Sequence, residues 1–132
     1  MTGVAAVVDT SALLAYLNHE TGWDIVESWL DRGVAVSALN AQELTKKIVE
    51  RGGTREDATR IIADLALDVR DLTLALAIEA GTLVTLTRPK GLSEGDRACL
   101  ALASLLGVPA VTADRPWADI ADLLGVRVQL VR

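Results

Sequence analysis

The chain is 132 residues long and 51% hydrophobic, with a net charge of −5 at pH 7. That length suits one domain with a real core and is too short for two, so residues 1–132 are read as a single domain. The acidic balance, and an aromatic content of 3% with no Phe, exclude a protein that grips nucleic acid by a broad basic face or a base-stacking platform.

No apolar run reaches the ~18 residues of a membrane span. Met1 to Val8 carries neither a basic leader segment nor a proper apolar leader core, so no signal peptide is expected and the cytoplasm is the expected compartment. Cys99 is the single cysteine, which excludes a disulfide framework and a cysteine-rich zinc site.

In chain order, Val4 to Val8 is a continuous apolar run of the kind found in a central parallel strand, and it ends at Asp9-Thr10-Ser11. Ala12 to Leu17 suggests a helix, 18–22 a loop, and Asp24 to Arg32 a second helix with Ile25, Val26, Trp29 and Leu30 inward. Gly33 ends that helix and Val34 to Ser37 reads as a second strand. Asn40-Ala-Gln-Glu43 has the form of an N-cap opening a helix to about Arg51, closed by Gly52-Gly53. Thr54 caps the next helix, with Asp57 in the capping-box position. Its residues Ala58, Ile61, Ile62, Leu65 and Ala66 follow helical spacing. Leu67 to Leu72 reads as a short strand, Thr73 to Leu86 as one helix, and Thr87 to Gly91 as a loop.

Ser93 then reads as an N-cap with Asp96 completing a capping box. The helix from Glu94 to Leu106 stops at Gly107, and the strand Val108 to Thr112 leads to Asp114. Such a helix spans roughly 20 Å, and the strand climbs back about 17 Å. Asp96 and Asp114 therefore return to the same edge of the domain. Pro116 begins a short helix to Leu124, Gly125 breaks it, and Val126, Val128 and Leu130 alternate with polar residues as an edge strand. Strands alternating with helices predict a three-layer α/β/α sandwich on a central parallel sheet with right-handed crossovers.

Four acids fall beyond strand ends, where open parallel sheets place their sites: Asp9, Glu43, Asp96 and Asp114. Each has a plainer role. Asp9 can be an N-cap, Glu43 and Asp96 capping-box acids, and Asp114 an Asx-turn residue before Pro116. Together they weigh differently. Two carboxylates about 5 Å apart repel by roughly 3 kcal/mol at an effective dielectric of 20. A helix N-terminus returns only about 0.3–1 kcal/mol per acid. Removing four acidic charges from −5 would leave −1, so the acidity can be local. Convergence of the four calls for a cation, and a ligand set of hard oxygens without Cys or His predicts Mg²⁺ or Mn²⁺ rather than Zn²⁺. Thr10, Ser11 and Thr112 add hydroxyls that can orient carboxylates, hold water or simply cap. Such a site suits phosphodiester hydrolysis with no protein nucleophile. His19, the only histidine, reads as a surface loop residue.

Asp9-Thr-Ser-Ala-Leu-Leu-Ala-Tyr-Leu, Asn40-Ala-Gln-Glu43, Leu92-Ser-Glu-Gly-Asp96 and Thr112-Ala-Asp114-Arg-Pro-Trp together resemble the PIN domain, and more narrowly the VapC toxins of bacterial toxin–antitoxin pairs. The resemblance covers nearly the whole chain in order. It implies a Mg²⁺-dependent endoribonuclease with Asp9, Glu43, Asp96 and Asp114 as metal-binding and catalytic residues. It also implies sheet order 3-2-1-4-5, a homodimer, and inhibition by a small VapB-type antitoxin through which alone the protein meets DNA. Asp119 is an extra acid beside the fourth motif, read as either joining the site or facing solvent. Arg97, Arg115, Lys46 and Lys47 are candidate RNA contacts, with ordinary solvated charge as the alternative; Arg51, Arg88 and Lys90 are further cations nearby. Trp23, Trp29, Trp117 and Tyr16 read as core or interface residues.

Two other readings stand beside this one. Asp9 could be the nucleophile of an aspartyl-phosphate domain, but the second acid two residues on is absent, Ser11 standing there, and no Lys lies near the fourth strand. A catalytically silent PIN-like interaction domain is the non-enzymatic alternative.

Overall fold

The computed structural model describes residues 3–132. The reading of the first eight residues as leaderless takes in Met1 and Thr2, which lie outside the described residues. Five parallel strands form one sheet in the order β3-β2-β1-β4-β5, the order the resemblance implied. The strands are β1 (Ala6–Val8), β2 (Val34–Ser37), β3 (Asp68–Arg70), β4 (Ala110–Thr112) and β5 (Val128–Leu130).

Side chains alternate across a strand with period two, and that alternation divides the core. Val7, Ala35 and Ala110 face one apolar layer; Ala6, Val8, Val34, Val36 and Val111 face the other. The first layer is covered by α5 (Leu74–Thr82), α7 (Glu94–Leu106) and α8 (Ala121–Leu124), with Leu76, Leu100, Leu102 and Trp117 inside. The second is covered by α1 (Thr10–Leu17), α2 (Trp23–Arg32), α3 (Ala38–Glu50) and α4 (Arg55–Asp64), with Leu13, Val26 and Leu44 inside. The result is the α/β/α sandwich expected from the pattern of elements. α7 is buried over most of its surface, as its sequence required, and Gly107 ends it in the left-handed conformation at φ 68°.

Several boundaries differ from the sequence reading. α3 is capped by Ser37, whose side chain accepts from the Asn40 backbone N–H, so the helix opens at Ala38 and Asn40 is its third residue. Strand and helix share Ser37 with no loop between them, which is why a local cap signal points three residues too late. Thr73 to Leu86 is two helices rather than one. Thr73 caps α5, which tightens at its end as Leu83 N–H bonds back to Ala80 and the Thr82 hydroxyl takes the Glu79 carbonyl; α6 (Val84–Thr87) follows. The expected loop after it is a 3₁₀ turn at Arg88–Lys90, and a second such turn, Arg115–Asp119, precedes α8. Ile25 faces solvent; Val26 is the residue of α2 that is buried, with Trp29 and Leu30 half-buried. Ala66 lies beyond α4 at φ 53°, where the chain turns toward β3, and is exposed.

Candidate active site

Because all strands run parallel, their C-terminal ends share one edge. Register places Val7 level with Ala35 and Val8 level with Val111. One residue further along, Asp9 stands level with Ser37 on one side and Thr112 on the other. Glu43 follows on α3, Asp96 on the first turn of α7, and Asp114 just past β4.

Asp9 is 1% exposed and caps α1. Its Oδ1 accepts from Ala12 N–H at 2.8 Å and its Oδ2 from the Thr112 hydroxyl at 2.6 Å; the Ser11 hydroxyl lies 2.8 and 2.9 Å from the two oxygens. Burial nevertheless raises its pKa from 3.8 to about 7, outweighing those hydrogen bonds, with the charge of Asp96 adding to the rise. The two residues flanking the cap, Thr112 and Ser11, also hold the next segment: Thr112 Oγ1 accepts from Asp114 N–H and Ser11 Oγ from Ala113 N–H, both at 3.0 Å. The carboxylate of Asp114 is turned by Trp117, whose Nε1–H donates to Oδ2 at 3.1 Å. Trp117 is thus a core residue, fully buried, that reaches the site with its one polar atom.

Asp96 completes the capping box of α7: Ser93 N–H donates to its Oδ2 at 2.8 Å, while its own N–H bonds to Ser93 Oγ. Its pKa is raised, first by burial and further by the charges of Asp114 and Glu43. Glu43 is not a capping-box acid. It lies in the second turn of α3, where Thr10 Oγ1 donates to its Oε1 at 2.7 Å and Asn40 Nδ2 at 3.0 Å. Behind the acids, burial pushes the Cys99 thiol well up, and Asp9, Asp96 and Glu43 all add to that shift. Asp96 is therefore the electrostatic centre of the group, coupled to each of the other three acids.

Among the described residues, no three or more His, Cys, Asp or Glu side chains are grouped tightly enough to hold a metal ion as they stand. The donor set still fits a hard divalent cation, being carboxylates and hydroxyls with no nitrogen or sulfur ligand. A second fit is steric: a Cβ at Gly95 would fall on the Glu43 carboxylate, so Glu43 occupies space that only glycine leaves beside Asp96.

The supporting and basic residues separate. Thr10, Ser11 and Thr112 all bond to site carboxylates. Arg97 donates to the Leu92 carbonyl at 3.2 Å, and Arg115 and Lys46 are exposed. Lys47 pairs with Glu50 at 3.8 Å and lines a groove with Leu14, Leu17, Ile48 and Ile61. Asp119 faces solvent and pairs with Lys90 at 3.4 Å. His19 is exposed and stacks on Trp23, with ring centroids 4.6 Å apart. Two residues that the sequence reading left out of the site belong to its geometry. Asn40 was legible only as a cap, and Gly95 carried no signal beyond its place before Asp96.

The chain belongs to the PIN domain family, whose profile matches residues 6–123. Its fold is shared with solved structures of low sequence identity. One, a toxin–antitoxin complex from Klebsiella pneumoniae, superposes with a TM-score of 0.68 at 19% identity, covering 97% of this chain and 98% of that one. Another, VapBC2 from Rickettsia felis bound to a promoter DNA fragment, gives 0.68 at 16% identity over 96% and 98%. FitAB bound to a DNA fragment gives 0.69 at 17% identity over 96% and 94%. No curated protein matches the chain.

Proposed function

We propose that this PIN domain is the toxin of a toxin–antitoxin pair, a Mg²⁺- or Mn²⁺-dependent endoribonuclease with Asp9, Glu43, Asp96 and Asp114 as its metal-binding and catalytic residues. The observation that carries the reading is geometric: at the C-terminal edge of the sheet Asp9 is held by the hydroxyls of Ser11 and Thr112, and the Glu43 carboxylate lies on Gly95 beside Asp96. Membership of the PIN family supports nuclease chemistry. Neighbours that are toxin–antitoxin complexes, two of them bound to DNA, support a VapB-type antitoxin as partner and contact with DNA through that antitoxin. No helix among the described residues is long and apolar enough to cross a membrane; action on RNA in the cytoplasm is part of the proposal. A homodimer belongs to the same proposal.

When bound, the cation supplies Lewis-acid activation of the phosphodiester and of water. The chain's own residues do the rest. Thr112, Ser11 and Ala12 fix both oxygens of Asp9, Ser93 fixes Asp96, and Trp117 fixes Asp114. In the metal-free chain burial raises the Asp9 carboxyl to about 7, so it is as the carboxylate, after loss of that proton, that Asp9 would serve as a ligand. Arg97, Arg115, Lys46 and Lys47 are the proposed RNA contacts; Arg115 and Lys46 are exposed, whereas Arg97 bonds to the Leu92 carbonyl and Lys47 pairs with Glu50.

The test is cleavage of a mixed RNA pool with Mg²⁺ or Mn²⁺, with and without chelator. Chelation is expected to stop cleavage, and Asp9→Asn and Asp96→Asn each to reduce it at least 100-fold, on the order of losing a directly acting charged group. Cleavage that survives both substitutions at wild-type rate would sink the site assignment.

A further inference from the structure

We propose that Asn40 is a positioning residue for this site: together with Thr10 it holds Oε1 of Glu43 while the carboxylate lies on the bare backbone at Gly95, which leaves Oε2, the oxygen these donors do not engage, for a divalent cation. The inference rests on the metal-site reading above.

Asn40 is fully buried three residues into α3. Ser37 fixes which way its amide points. The Ser37 Oγ accepts from Asn40 N–H at 3.1 Å, so its own proton goes to Asn40 Oδ1 at 2.6 Å. That leaves the amide nitrogen facing the site, where Nδ2 donates to Glu43 Oε1 at 3.0 Å and to Thr10 Oγ1 at 3.2 Å. Thr10 has one proton to give. Its distance to Glu43 Oε1 is 2.7 Å and to the Asn40 carbonyl 3.4 Å, so the carboxylate receives it. Two donors thus converge on Oε1, and Oε2 takes part in none of these bonds. A donor bonded to an ionised carboxylate is roughly twice as strong as a neutral pair. A flipped amide would instead aim an oxygen at that carboxylate and strand Ser37's hydroxyl.

Capping α3 does not need this side chain, since Ser37 performs it alone. What Asn40 adds is a fixed place for Glu43. Gly95 completes that place: a side chain there would collide with the carboxylate, and Gly95 immediately precedes Asp96. The clamp therefore sets the spacing between Glu43 and Asp96, whose charges are already coupled.

The experiment is a Mn²⁺ titration of the metal-free full chain, by calorimetry and, to millimolar ion, by the electron paramagnetic resonance of free Mn²⁺. Circular dichroism checks the fold of each variant. Outer-shell groups typically contribute about 10–100-fold to metal affinity. Asn40→Ala is expected to weaken Mn²⁺ binding at least about 10-fold in the wild-type background and less than about 2-fold in a Glu43→Gln background, because its effect passes through Glu43. Gly95→Ala leaves the hydrogen-bonded residues in place and adds a better helix former, so it guards against a folding artefact; it too is expected to weaken Mn²⁺ about 10-fold. Equal losses for Asn40→Ala in both backgrounds, or full affinity in Asn40→Ala and Gly95→Ala while the wild type binds, would overturn the clamp. A folded wild type that binds no Mn²⁺ overturns the metal site itself.

Discussion

Asp9 shows at the scale of one residue how a site conflicts with stability. Its carboxyl titrates at 3.8 in the unfolded chain and at about 7 when folded. Below the lower value both states are protonated. As pH rises through it the unfolded chain loses its proton while the folded chain keeps it, so the stability Asp9 contributes at low pH fades between about pH 4 and pH 7. At about 1.4 kcal/mol per unit, the loss is a few kcal/mol. In chelator, the melting temperature of the wild type minus that of Asp9→Asn is therefore expected to fall from about pH 5 to about pH 8. Taking the difference removes surface acids such as Asp68, whose pKa the Arg70 guanidinium lowers and which act in the opposite sense. A difference that stays flat across that range would show the Asp9 carboxyl to be ordinary.

At the scale of elements, capping decides where helices begin, and caps are local. Both capping boxes, Thr54 with Asp57 and Ser93 with Asp96, are found where the sequence placed them, because each bond joins residues three apart. Thr54→Ala should cost about 1 kcal/mol in urea unfolding while leaving RNA cleavage unchanged, since α4 carries no site residue. Gly22 is a different case. It caps α2 at φ 94°, and a Cβ there would run into the Val131 carbonyl. Val131 in turn donates its N–H to the Thr112 carbonyl. Gly22→Ala is expected to cost about 2–4 kcal/mol, combining left-handed strain with overpacking, and urea unfolding measures it. The division of residues 73–86 into α5 and α6 escaped the sequence because the run is mostly apolar, and Gly81-Thr82 before Leu83 is too slight a break to separate one long helix from two in succession.

For the whole molecule, a buried acid, Asp9, with three half-buried acids at the same edge makes a cation part of the fold's energetics. A ligand at about 100 times its Kd stabilises by about 2.7 kcal/mol, and about 2–8 °C per kcal/mol is usual for domains of this size range. Millimolar Mn²⁺ should raise the melting temperature by roughly 10 °C at about pH 8, with little gain once Asp96 is Asn. A rise of the same size in Asp96→Asn would place the ion elsewhere.

By itself the sequence determined the alternation of strands and helices, the two capping boxes, and Asp9, Asp96 and Asp114 at strand or helix ends. All of these are set by neighbours a few residues apart. The PIN resemblance rested on the same local signatures taken in order. Only the tertiary structure decided that Ser37 rather than Asn40 caps α3, that Trp117 turns Asp114, that Asp119 pairs with Lys90, and that Glu43 lies against Gly95 under the amide of Asn40. Ser37 with Asn40, Trp117 with Asp114 and Asn40 with Glu43 are three residues apart, but local spacing alone does not choose among the possible partners there. Glu43 on Gly95 and Asp119 with Lys90 join distant parts of the chain, the first through the close approach of α3 to α7, and no spacing along the chain encodes a distance across it.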